Sequence, residues 1–216
     1  MKTSKLCLVA MCAALIAMSA ACSYAANLLP DGGFTTVPSS LSAAGDTWLP
    51  GGKWLFQNQI NGGGTAGTLS QVAGVNGVGY AARIERTSSN TWMTLASCYV
   101  PVTAGNTYTF SYWINLDNSS LHTWANVASF RDSNGTQWIN NTVAKLNGQA
   151  PGWVHCVYEY TAPEGTNFAQ VQFTPCYAGG IKIADAYLGT VPEPGSMAAM
   201  LSGFVGLIGF GIRRRK

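Results

Sequence analysis

The strongest regularity in the chain is a two-residue alternation of apolar and polar positions. In Thr107–Ile114 the side chains of Tyr108, Phe110, Tyr112 and Ile114 fall on one face, and Thr109, Ser111 and Trp113 on the other. Tyr80–Glu85 groups Tyr80, Ala82 and Ile84 and turns Arg83 and Glu85 outward. Val154–Tyr160, Phe168–Phe173 and Ile181–Leu188 follow the same rule. Successive side chains of a strand point to opposite faces, so each run is a predicted strand with one buried face. Turn signals separate them: Thr103-Ala104-Gly105-Asn106, Ser133-Asn134-Gly135, Ala162-Pro163-Glu164-Gly165 and Ala178-Gly179-Gly180. No helical period lasts beyond a turn or two. The pattern predicts an all-β body, an antiparallel two-sheet β-sandwich of the jelly-roll kind. The glycine-rich stretch 61–67 is a connection. It is no phosphate loop, because no Lys-Ser/Thr follows it and no helix starts there.

The two ends break this pattern. Lys2 and Lys5 precede an almost purely apolar run, Leu6 to Ala21, and Ser23-Tyr24-Ala25 supplies small residues at the positions a signal peptidase reads. Residues 1–25 are therefore a predicted secretory signal peptide, cut after Ala25. A lipoprotein signal through Cys22 is the competitor, and it lacks the large apolar residue three positions earlier. At the other end Ser196–Ile212 is uncharged, and its length sits at the short limit of the roughly 17–25 residues that span a bilayer. Four cations follow, Arg213 to Lys216, which stay on the cytoplasmic side. A buried core helix would have nowhere to put them, so 196–212 is a predicted transmembrane helix with a basic tail at 213–216.

Charge changes its meaning once the ends are set apart. The whole chain carries +3, yet the body, 26–190, holds six basic and eight acidic residues, a net −2. The positive excess belongs to the targeting segments, and a nucleic-acid partner is excluded.

Ahead of the apolar tail stand Val191, Pro192, Glu193, Pro194 and Gly195. In this order, followed by an apolar helix and a terminal basic cluster, segment 191–216 resembles the PEP-CTERM sorting signal of Gram-negative bacteria. The resemblance implies recognition and processing by an exosortase-type membrane enzyme. Carriers of such tails are mostly exported proteins of bacteria that make biofilm or exopolysaccharide. The prolines suit a processing site, since they keep the segment extended and non-helical. The expected location is the cell envelope, anchored at least transiently by the tail, then the cell surface or the exterior.

The body resembles a second family, the CenC-type carbohydrate-binding modules. The likeness is carried by Asn27–Phe34 (NLLPDGGF), Val102–Trp113, Trp153-Val154, Tyr160–Thr166 and Ile183–Leu188, in the family's order. It implies a jelly roll and a carbohydrate partner. It also implies a structural calcium between the N-terminal segment and the last strand, where Asp185 matches the acidic ligand. Thr35 stands where relatives commonly have Glu.

Catalytic signatures are missing from the sequence: no Gly-x-Ser-x-Gly elbow, no His-Glu-x-x-His, and only two histidines, His122 and His155. Glycoside hydrolysis needs two placed carboxylates, and the eight in the body are scattered. The expectation is a non-enzyme with no other cofactor. Of the body's three cysteines, Cys156 and Cys176 are the favoured bridge, with three buried thiols as the alternative. Sugar faces stack on indoles while polar side chains meet their hydroxyls. Trp113 lies on a polar strand face, Trp124 follows a polar loop, and Trp138 follows the Asn134-Gly135 turn. With Arg131 and Gln137 these form the expected glycan platform, whereas Trp54 and Trp153 read as core. Two other classes stay open: a structural matrix protein without a sugar site, and a carbohydrate-active hydrolase with an unusual carboxylate pair.

Overall fold

A computed structural model describes residues 26–60, 67–87, 91–117, 122–147, 152–176 and 178–190. The signal peptide, the 191–195 motif, the 196–212 helix and the basic tail lie outside these residues. Among the described residues no helix is long and apolar enough to cross a membrane. Asn27–Thr190 forms one compact unit.

Twelve strands build it: β1 (Gly45–Trp48), β2 (Trp54–Ile60), β3 (Thr68–Ala73), β4 (Tyr80–Arg86), β5 (Thr91–Ser97), β6 (Val100–Pro101), β7 (Thr107–Leu116), β8 (His122–Phe130), β9 (Trp138–Asn147), β10 (Trp153–Thr161), β11 (Phe168–Pro175) and β12 (Gly179–Thr190). All five alternating runs are strands: β4, β7, β10, β11 and β12. Strands β1-β2-β5-β11-β8-β9 form one antiparallel sheet, with β6 added beside β11, and β10-β7-β12-β4-β3 form the other. The expected two-sheet antiparallel sandwich is the fold.

The core lies between the sheets. The five-stranded sheet contributes Tyr108, Phe110, Tyr112, Ile114, Ile183 and Leu188, and the seven-stranded sheet answers with Trp54, Phe56, Leu95, Val127, Val171 and Phe173. Tyr112 packs edge-on against Phe173 at 5.1 Å, and Trp54 lies 4.9 Å from Phe34 of the N-terminal segment. Trp54 is fully buried, as expected, and Trp153 is half-buried at the head of β10. The favoured bridge is not made: Cys156 and Cys176 form no disulfide. Cys156 sits on β10, the edge of the five-stranded sheet, while Cys176 follows β11 in the middle of the opposite one.

The N-terminal segment is stitched to β12. Leu28 N–H donates to the Leu188 carbonyl (2.8 Å), Ala186 N–H donates to the Gly32 carbonyl (2.9 Å), and Asn27 Oδ1 accepts the Leu188 N–H (3.1 Å). It takes up β12 where pairing with β4 stops at Ala184, at an irregularity that gives Asp185 a φ of 48°. Both ends of the sandwich therefore lie side by side.

Candidate functional site

The outer face of the seven-stranded sheet gathers the exposed tryptophans. Strand register brings Trp48, Leu55, Ala96, Gln172 and Asn126 into one row across β1, β2, β5, β11 and β8. The next row runs Asp46, Gln57, Thr94, Thr174 and Trp124. Trp92, two residues before Thr94, stands one row further. Its ring meets that of Trp124 edge-on at 6.4 Å.

Exposure separates rim from floor. Trp48, Trp92 and Trp124 are 50%, 44% and 40% exposed. Thr94, Ala96, Asn126, Ala128, Gln170 and Thr174 lie on the same face and are all buried. On this face a sheltered polar floor lies among aromatic side chains that stand clear, and the two together are termed the trough. Trp48 and Trp124 lie four strand spacings apart, about 19 Å.

The floor is hydrogen-bonded in one direction. Gln170 Nε2 donates to the Ser97 carbonyl (2.8 Å), Gln172 Nε2 to Gln170 Oε1 (2.7 Å), and Asn126 Nδ2 to both Gln172 Oε1 (2.9 Å) and Asn141 Oδ1 (2.7 Å). A backbone carbonyl can only accept, so the amide order is set from Ser97 outward. The Thr94 and Thr174 hydroxyls bond each other at 2.9 Å. Asn126 Oδ1 and the Asn141 amide hydrogens remain for a ligand, beside apolar indole surface. The side chains on this floor are uncharged amides, hydroxyls and methyls.

The structure distributes the expected platform over three places. Trp124 belongs to the trough. Trp138 is exposed and pairs with Phe130 at the far end of the β8–β9 hairpin, about 20 Å along β8 from Trp124. Arg131 and Gln137 are exposed beside it, joined by the Arg131 N–H to Gln137 carbonyl bond (2.9 Å). There the Asp132 carboxylate accepts bonds from the Thr136 hydroxyl and from backbone N–H groups of the turn, which hold it below the usual carboxylate range. Trp113 faces outward on the other sheet, half-buried and stacked on His155 at 4.7 Å. Trp48, Trp92 and the amide floor were not anticipated. One signal was readable: Gln170 and Gln172 occupy the polar face of an alternating run.

Asp185 is the residue that the family likeness offers to a calcium. Asp185 is exposed, and the neighbouring oxygens face protein donors. Asp31 Oδ1 accepts the Thr35 N–H and hydroxyl (2.9 and 2.8 Å), and Oδ2 the Thr36 N–H and hydroxyl (3.0 and 2.6 Å). Burial raises the Asp31 pKa, but these four bonds outweigh it and hold the carboxyl below its ordinary value. Asn27 Oδ1 accepts two backbone N–H groups. Among the described residues no three of His, Cys, Asp and Glu converge.

Comparison with known proteins agrees with both halves of the chain. Residues 190–216 match the PEP-CTERM protein-sorting motif, which marks the chain for export and sorting to the envelope. No curated protein sequence matches the chain. Among solved structures the body is similar to TmCBM61, described in complex with β-1,4-galactotriose, at TM-score 0.52 and 17% identity over 77% of this chain and 99% of that one. A CBM4 domain aligns at TM-score 0.47 and 16% identity over 76% and 99%. The enzymatically active domain of bacteriophage CBA120 tailspike protein 4 gives TM-score 0.54 and 12% identity over 64% of this chain, which spans 19% of the tailspike chain. The body shares its two-sheet fold with TmCBM61.

Proposed function

We propose that the chain is an exported, non-catalytic glycan-binding protein, held at the membrane by its apolar tail until an exosortase-type enzyme processes it. The observation that carries the binding reading is the trough: three exposed indoles around a buried, uncharged amide and hydroxyl floor. Indole faces take the C–H faces of sugar rings and the floor takes their hydroxyls. The partner is a neutral polysaccharide or cell-surface glycan, and exopolysaccharide suits the sorting motif. The carboxylates support the non-catalytic part, because half of the body's eight have structural work. Asp117 is bridged by Arg83 (2.8 Å) and Lys182 (3.3 Å), Asp46 accepts from Gln57 (3.2 Å), and Asp31 and Asp132 each close a turn.

The test is retention on an array of immobilised bacterial and plant polysaccharides. The native chain is expected to bind at least one. Trp92→Ala and Trp124→Ala should each weaken that binding by about 30-fold, the effect of losing a hot-spot contact of about 2 kcal/mol. Trp113→Ala should leave it unchanged. Equal retention of all three folded variants would remove the trough from the function.

A further inference from the structure

Among the described residues the exposed large apolar side chains, Val157 on β10 apart, fall into two groups. Trp48, Trp92 and Trp124 line the trough, and Val78, Tyr80 and Trp138 stand away from it, 77%, 51% and 60% exposed.

Register places this second group toward one end of the sandwich. Ala81 pairs with Ala184, and the β3–β4 turn continues past Tyr80 in the direction in which β12 runs to Thr190. Thr190 pairs with Tyr108 and Tyr108 with Tyr160, whose hydroxyl bonds Ser129 (2.6 Å) one residue before the Phe130–Trp138 pair. Leaving the sheet at the level of Asp185, five residues before Thr190, the β3–β4 turn therefore points toward the end that holds Trp138 and the chain exit. The Trp92–Trp124 wall is at the other: Trp124 pairs with Thr174, and Arg86, which pairs with Gly179 at the start of β12, donates to the Pro175 carbonyl at 2.9 Å.

The turn is preshaped and uncharged. Asn76, Gly77 and Gly79 hold φ of 52°, 80° and 68°, and no charged residue occurs from Ala73 to Ala82. A water-facing turn gains nothing from presenting Val78 and Tyr80, whereas a bilayer interface accepts both. Tyrosine and tryptophan concentrate at that depth. The chain itself supplies the partner. Five residues, 191–195, separate Thr190 from the apolar segment at Ser196, and five residues reach at most about 18 Å. At the second corner Trp138 stands with Arg131 and the Asp132 carboxylate, a corner of no net charge.

We infer that this end of the sandwich rests on the lipid surface while the tail is in place, with Val78, Tyr80 and Trp138 in the headgroup layer. The inference depends on the tail being a membrane anchor, as read above. The test reconstitutes the full chain into phosphatidylethanolamine–phosphatidylglycerol vesicles doped with a diazirine phospholipid, irradiates them, and maps lipid adducts by mass spectrometry. Adducts are expected on the tail, on the peptide holding Val78 and Tyr80 and on that holding Trp138, with none on those holding Trp92 and Trp124. Val78→Asp with Tyr80→Ser should abolish the turn adducts and leave the tail signal unchanged. A labelled tail with a bare turn overturns this inference alone and leaves the end to a protein partner. Turn adducts that survive the double substitution also overturn it. A bare tail overturns the anchoring reading and this one with it.

Discussion

Asp31 shows how much one side chain can organise. Its two oxygens collect four bonds from Thr35 and Thr36, and its own carbonyl accepts the Trp54 indole N–H (2.9 Å), tying the N-terminal segment to the core. Because the folded carboxyl titrates below its ordinary value of 3.8, its contribution is complete above that pH and is lost as pH falls through the folded value. The melting temperature should therefore drop steeply below about pH 3.8. Asp31→Asn should flatten that acid limb and cost about 1–3 kcal/mol at neutral pH, since an amide nitrogen cannot accept the bonds it replaces. Thermal melts of both proteins across the acid range check this.

At the scale of elements the N-terminal segment behaves as an extra strand hydrogen-bonded to β12. Its approach to β12 is close enough that a Cβ built on Gly32 would collide with the Ala186 carbonyl oxygen. Gly32→Ala should lower stability by more than about 3 kcal/mol, visible in urea melts, because backbone meets backbone and nothing flexible can give way. With no cluster of acidic ligands to empty, a chelator should leave the melting temperature where it was; a drop would restore calcium to the segment. The elements also explain what the sequence could disclose. β7 reads cleanly because its burial alternates at every residue. β5 and β8 do not, because Thr94, Ala96, Asn126 and Ala128 are sheltered on the outer face too, so the period-two contrast fades along the strands that make the trough floor. The fold was thus legible mainly from the five-stranded sheet, with β11 the one run readable in the other, and most of the proposed site was masked by its own geometry. Trp113 is conspicuous in the sequence as the one large side chain on a visibly polar face, and that face belongs to the other sheet from Trp48, Trp92 and Trp124. Trp48 and Trp92 become partners of Trp124 only through register across four and two strand spacings, a relation no local pattern carries.

For the whole molecule, the trough and the chain exit are at opposite ends, so a glycan and a membrane would not compete for one surface. A protein bound to polysaccharide and held by its tail is pulled lengthwise. The pull enters at Thr190 on β12, the middle strand of its sheet, flanked by β7 along most of its length and by β4 and then the N-terminal segment on the other side. Pulled along its own axis, such a strand loads its hydrogen bonds in shear, many at once, instead of opening them one after another. Force spectroscopy between the tail and a trough-bound glycan should find the sandwich yielding only at high load, with the sugar letting go first. If the body binds glycan as proposed, the placement of the last strand lets it serve as a mechanical coupling too.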